Sequence, residues 1–482
     1  MKRAYASLLI LSLFASNMGF AQKPGYSRIE KTITRAETES QLRFLAADEM
    51  RGRATGSPEL NIAANYIASL FQQMGLSTVP GANGYFQQVP VEEQDAPSDA
   101  KLWIGPATLS LKTDLLVVDG GPVDISGETV LLKRNGDISG DFKGKIVVHV
   151  LDADELQSFS KTRTASNERY EKLGLVGAKA LIEVVQGLPT SWEALQDRYG
   201  GLRTFNHKDG LSMPRVWLKS KDQDWLRTLE TQGTGSAILK IQRSAPRILD
   251  TKNVLGMVVG TDKKLKDEYL VVCGHYDHVG VGKPVNGDSI YNGARDDAMG
   301  TVAMLAAAKY LSANPPKRSV IFMACTGEER GLLGSEWYAG HPLVPLDKTG
   351  FVLAADGAGY NDTTFVIALG YGRLDHVEPF DLMGKATGLK VKENPNPKAD
   401  FYAGSDNFPF ARRGVPAVDL SPAFTAFDAE ITKYYHQPAD EVGTLNFSYV
   451  VKYVRAFACA AEQLCNAGML PSWKAGDPFM KK

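Results

Sequence analysis

Two histidines and a scatter of carboxylates stand just past apolar runs of this chain. His275 and Asp277 follow Tyr269–Cys273 (LVVCGHYD), Glu328 and Glu329 follow Ser319–Cys325 (FMACTGEE), and Asp356 follows Phe351–Ala355 (FVLAAD). Asp296 and Asp297 open an Ala-rich helical run, and His436 lies in YYHQPADE. Each has a plainer explanation alone: Asp caps helices, Glu-Glu suits a solvated loop, and a single His sits comfortably on a surface. Together they differ. In open α/β sheets, sites form beyond the carboxyl ends of the strands. Three strands would then deliver imidazole and carboxylate to one edge, where like charges repel unless cations stand between them.

The elements that must position them follow from the pattern. From Asn253 onward the strand candidates Tyr269–Cys273, Ser319–Cys325, Phe351–Ala355 and Val415–Leu420 alternate with helical runs. One such run, Asp297–Tyr310, is stopped by Pro315-Pro316. Alternating buried strands and helices imply α/β architecture with a mainly parallel sheet. Upstream, Ser57-Pro58-Glu59 reads as an N-cap with Pro in the first turn, and Ala63, Ile67, Leu70, Phe71 and Met74 recur at helical spacing until Gly75. Tyr85–Val91 reads as a strand, made an edge by Pro90. Between about 100 and 245 the texture changes to short strand-like runs, Lys145–Val150, Ala180–Val185 and Ala237–Gln242, without clustered catalytic residue types. Residues 101–245 are therefore expected to form a separate β-rich unit, inserted between 22–100 and 246–482.

The chain has 482 residues, 44% apolar and 23% charged, with a formal net charge of -1. The length suits two packed units. Near-neutrality, with no basic run, excludes a general attraction to nucleic acid. Residues 1–21 read as a secretory signal peptide: Lys2-Arg3, the apolar stretch Ala6–Ala15, and the small-residue site Gly19-Phe20-Ala21. That apolar core is shorter than the roughly 20 residues needed to span a bilayer, and no later stretch is a membrane candidate. Export to a periplasm or out of the cell is expected. Of the four cysteines, Cys459 and Cys465 are six apart, about 9 Å along one helix and too far to pair. Cys273 and Cys325 lie in strand candidates, so four buried thiols are expected.

The strings VVCGHYDHVG, YNGARDDAMG, CTGEERGLLGS, AADGAG, SDNFPFARRGVPA and YYHQPADE, in this order, resemble the co-catalytic zinc aminopeptidases of peptidase family M28. The stretch FLAADEMRGRATGSPELNIAANYIASLFQQMGL is also similar to that family. The likeness runs through most of 40–95 and 250–470, while 101–245 more weakly resembles a protease-associated domain. The resemblance implies a mainly parallel, mixed central sheet flanked by helices, and two Zn²⁺ per chain. Asp296 would bridge the ions, one completed by His275 and Asp356, the other by Glu329 and His436. Asp277 would hydrogen-bond His275, Glu328 would be the general base, and Tyr435 would polarise the scissile carbonyl. The Asp296–Asp297 peptide would be cis.

The implied reaction is hydrolysis of N-terminal residues from peptide substrates through a metal-bridging hydroxide. Metal lowers the pKa of water toward roughly 7, and the Glu carries the proton to the leaving amine. A carboxypeptidase of the same family is the main alternative. It would hold a terminal carboxylate with Arg. The candidates are Arg295 beside the bridging Asp, Arg330 beside Glu329 with its side chain directed away, and Arg412-Arg413 in a structural helix end. A single-zinc, glutaminyl-cyclase-like acyltransferase and a non-catalytic binding homologue are more distant readings, because all five ligand types and Glu328 are present. Met299 and Arg295 depart from the family pattern. Arg295 is expected to reshape the substrate pocket or to pair with Asp288.

Overall fold

The structure, a computed structural model, describes residues 24–480 apart from 133–137, 139, 200–203, 208–211, 221–223 and 397–400. The signal-peptide reading lies outside the described residues. Ser57 caps the helix Pro58–Gln73 as expected. Its hydroxyl accepts the Leu60 N–H, and the face carrying Leu60, Ala63, Ile67 and Phe71 is buried.

Eight strands form the sheet that carries the site. In chain order they are β1 (Phe86–Gln88), β2 (Lys252–Val258), β3 (Tyr269–His275), β4 (Ser319–Cys325), β5 (Thr349–Ala354), β6 (Phe365–Leu369), β7 (Lys390–Lys392) and β8 (Ala417–Pro422). Their spatial order is β1-β2-β4-β3-β5-β8-β6-β7. The central pairs β4–β3, β3–β5 and β5–β8 are parallel. The pairs β1–β2, β2–β4 and β8–β6 are antiparallel. This is the mixed, mainly parallel sheet expected. Every residue of β4 is buried, as a central strand covered on both faces requires. Helices Met299–Ala313 and Phe447–Asn466 pack against each other over the sheet, and Met299 lies fully buried in that core. Pro90 interrupts Tyr85–Val91, which becomes β1 and a separate strand Val91–Gln94.

A second eight-stranded sheet is built from strands between Asp99 and Gln242. It is less purely β than its texture suggests, because helices Phe159–Leu175, Trp192–Tyr199 and Asp224–Gln232 accompany it. Helix Phe159–Leu175 has few apolar residues (FSKTRTASNERYEKLGL), so apolar periodicity does not reveal it. All four cysteines are buried free thiols. Among the described residues, no helix is long and apolar enough to cross a membrane.

Candidate metal centre

His275 ends β3, and its neighbours in the sheet set its surroundings. Its Nε2 lies 3.3 Å from Asp296 Oδ1, 3.4 Å from Asp356 Oδ1 and 3.8 Å from Glu328 Oε2. On the other flank, His436 Nε2 lies 3.2 Å from Asp296 Oδ2 and 3.1 Å from Glu329 Oε2. The two oxygens of Asp296 thus face two histidines. Two donor groups result, each with ligand atoms within 4.8 Å of one another: His275, Asp296 and Asp356; and His278, Asp296, Glu329 and His436. The structure brings all five sequence-predicted ligands together and adds His278.

His278 escaped sequence reasoning although it lies in the quoted HYDH string. Its ring is fully buried, with Nδ1 2.7 Å from Glu329 Oε1 and 3.9 Å from Asp296 Oδ1. The available signal was its spacing of three from His275 on one strand-end loop.

Backbone and small residues hold the groups in place. The Asp296–Asp297 peptide is cis. The Asp440 carboxylate accepts the N–H groups of Arg295 and Asp296 at 2.9 and 3.3 Å. Asp297 accepts the Gly300 N–H at 3.1 Å. A Cβ at Gly300 would lie 2.4 Å from the Ala355 carbonyl oxygen and 2.3 Å from Asp297 Oδ1, so only glycine lets the helix start this close to β5. The fully buried Arg53 donates to the carbonyls of Leu45, Tyr276, Asn292 and Gly293, tying the N-terminal segment to both loops flanking the site.

Two expected partnerships take another form. His275 Nδ1 lies 3.1 Å from the main-chain oxygen of Asp277, while the Asp277 carboxylate is 3.9 Å away. That carboxylate instead accepts the Thr55 hydroxyl at 2.8 Å and the Glu328 N–H at 3.2 Å. The tight turn after β3 brings the carbonyl, rather than the side chain, under the ring. Arg295 neither pairs with Asp288 nor reaches the cleft as a free cation. It is bound to Asp440 at 3.0 Å and Thr444 at 2.7 Å, and stacks on Tyr434 3.7 Å from the ring centroid. A buried guanidinium takes the carboxylate and ring that desolvation demands.

The electrostatics are those of a cation site. Burial opposes charge on His275, yet the carboxylates of Glu328, Asp296 and Asp356 overcome it and raise its pKa well above the ordinary value. His436 is likewise raised to about 10, against the cost of burial, by Asp296 and Glu329. Burial raises the Glu328 pKa well above the usual range, helped by Asp356 and Glu329. Burial also works against ionised Glu329, but His278 and His436 pull it down to about 2. His275 Nε2, both ring nitrogens of His278 and Glu329 Oε1 are buried without a well-aligned hydrogen-bond partner. Orphaned nitrogen and carboxylate donors converging in this way fit Zn²⁺.

Beside the donors opens a cleft of about 350 Å³, walled by Leu369, Phe401, Phe424, Phe427 and Tyr435. Tyr435 stacks on His436 with ring centroids 4.0 Å apart. Burial and the surrounding carboxylates push its pKa up, so the phenol keeps its proton.

Comparison with known proteins agrees with this geometry. Residues 253–459 match the model described as "Peptidase family M28". A "Probable zinc metalloprotease" of Pyrenophora teres f. teres is 33% identical over 144 residues, 29% of this chain and 29% of that protein. A "Vacuolar membrane protease" of Candida glabrata is 29% identical over 196 residues, 40% of this chain and 18% of that protein. The chain thus spans less than a third of the length of these curated relatives. An aminopeptidase from Aneurinibacillus sp. strain AM-1 shares the fold, with a TM-score of 0.54 at 20% identity over 92% of this chain and 97% of that one. Residues 253–459 thus resemble peptidase family M28, and the chain shares the fold of a zinc aminopeptidase-like structure.

Proposed function

We propose that the protein is an exported di-zinc aminopeptidase that removes N-terminal residues from peptides. The observation that carries the reading is the pair of donor groups, buried or half-buried, that share Asp296, with Glu328 beside them but in neither. In this assignment 22–100 and 246–482 form the peptidase domain. Residues 101–245 form an inserted, protease-associated-like domain limiting access to the cleft.

Asp296 would bridge two Zn²⁺ ions, with His275 and Asp356 on one and Glu329 and His436 on the other. Zinc, when bound, supplies Lewis acidity toward the scissile carbonyl and makes attacking water acidic enough near neutral pH. Glu328, 3.8 Å from His275 Nε2 and in neither donor group, would take the proton from the attacking water and pass it to the leaving amine. The Tyr435 phenol is a donor for the carbonyl oxygen as charge develops there. Asp277 positions Glu328 through its main-chain N–H and His275 through its own carbonyl.

The aromatic wall of the cleft favours an apolar first residue, and the carboxylates around the donors favour a free α-amine. Metal analysis should find two zinc ions per chain, and free-amine peptides should be cut while N-acetylated ones are not. One ion at full activity would overturn the di-zinc reading. Cleavage of an N-acetylated peptide whose C-amidated counterpart resists would mean a carboxypeptidase.

A further inference from the structure

A second cleft meets the aromatic one at Glu329. It lies between the two sheets' domains and is lined by Arg163, Asn167, Phe205, Asn206 and Arg330, with Glu329 at its inner end. Its charges are not all spent internally. Arg215 pairs with Asp119, at 2.8 Å from Nε. Outside it, the neighbouring Arg412 and Arg413 both pair with Glu336, at 2.9 and 2.7 Å. Arg163 and Arg330 differ: among the described residues neither has a carboxylate within 4.0 Å.

Arg330, expected to point away, faces this cleft. Its guanidinium lies over Phe205, 5.0 Å from the ring centroid. It makes one long contact of 3.5 Å, to the Val279 carbonyl. Its Nε is buried without a partner. A ring on one face and open nitrogens along the edge leave a planar fork presented for two oxygens of one group. Arg163 approaches from the exposed side of helix Phe159–Leu175.

We propose that Arg330 and Arg163 form a carboxylate receptor on the leaving-group side of the scissile bond. It selects peptides that place a carboxylate one or two residues beyond that bond. The inference rests on the aminopeptidase reading: with the first side chain in the aromatic cleft, the departing residue extends past Glu329 toward these cations. A C-terminal carboxylate of a di- or tripeptide meets them, and so does an acidic side chain at the second residue. Each domain supplies one arginine, so the inserted domain contributes to substrate choice as well as access.

The test compares kcat/KM for Leu-Gly, Leu-Gly-NH2, Leu-Asp-NH2 and acetyl-Leu-Gly on the zinc-loaded enzyme and on Arg330→Met and Arg163→Gln. The wild type should favour Leu-Gly over Leu-Gly-NH2 by about ten- to hundredfold, the worth of charge-assisted hydrogen bonds, chiefly through KM. Each variant should shrink that ratio. Preference for Leu-Asp-NH2 alone would assign the receptor to an acidic side chain, and preference for Leu-Gly alone to the chain terminus. Equal rates on Leu-Gly and both amides overturn the receptor while leaving the aminopeptidase reading intact. A preference that survives in both variants also overturns it. Cleavage of acetyl-Leu-Gly but not Leu-Gly-NH2 overturns the aminopeptidase reading and keeps the receptor. Arg163 is exposed, so its variant decides the matter if Arg330→Met does not fold.

Discussion

His149 and His436 carry the same ring into two crowds of carboxylates and emerge with opposite character. His149, in the Asp99–Gln242 region, has its pKa lowered to about 4, first by burial and then by Arg169. His436, beside β3 and β4, is raised to about 10 against burial by Asp296 and Glu329. The difference lies in the counterions. Arg169 contacts both Glu155 and Glu183, and Arg215 contacts Asp119 and Ser166. That network is closed by its own guanidinium groups. Among the described residues, the carboxylates around Asp296 have no such guanidinium partner; the nearby Arg295 is committed to Asp440. One buried cluster is finished by the fold, and the other is shaped for cations from outside.

Four measurements would break or sharpen this contrast. Glu328→Gln should lower kcat by about 10²–10⁴-fold with zinc content unchanged, whereas Glu329→Gln should lose metal. Unchanged turnover in Glu328→Gln would place the base elsewhere. Arg169→Met should destabilise the protein by about 3–5 kcal/mol, because Glu155 and Glu183 would be left buried without a counter-charge. Denaturant unfolding reads that cost, and zinc stoichiometry should not move.

The pH dependence of His149 comes next. Its folded pKa of about 4 lies below the ordinary value of 6.5. The unfolded chain therefore binds the proton first as pH falls. Stability is complete above pH 6.5 and declines toward pH 4, by about 3 kcal/mol at most. His149→Gln should flatten that part of the curve; an unaltered slope would show that another group titrates there. The smallest effect is expected from His278→Ala, about 10–100-fold weaker zinc at the site holding Glu329, read by competition with a chelator. Unchanged affinity would make His278 mere filling.

The sequence was most legible where the signal is local. Ser57-Pro58 marks a helix start because cap and first turn are neighbours in the chain, and the helix begins there. That the five residues expected as ligands would converge was legible because each ends or adjoins an apolar run or a matched motif, and the structure gathers them. What was missed depends on distant partners. Asp440 as the anchor of Arg295 is separated from it by 145 positions. The direction of Arg330 depends on Phe205, far from it in the chain. The substitution of a carbonyl for the Asp277 side chain beneath His275 is a matter of loop geometry, which residue type does not encode.

The span of the site along the chain has a consequence for biosynthesis. Arg53 clamps loops more than 220 positions downstream, and His436 enters only after most of the chain has been made. On the proposed assignment, a nascent or clipped polypeptide ending before that histidine lacks a ligand and is catalytically silent. On that assignment, the metal site is complete only once about nine-tenths of the chain, through His436, has been made.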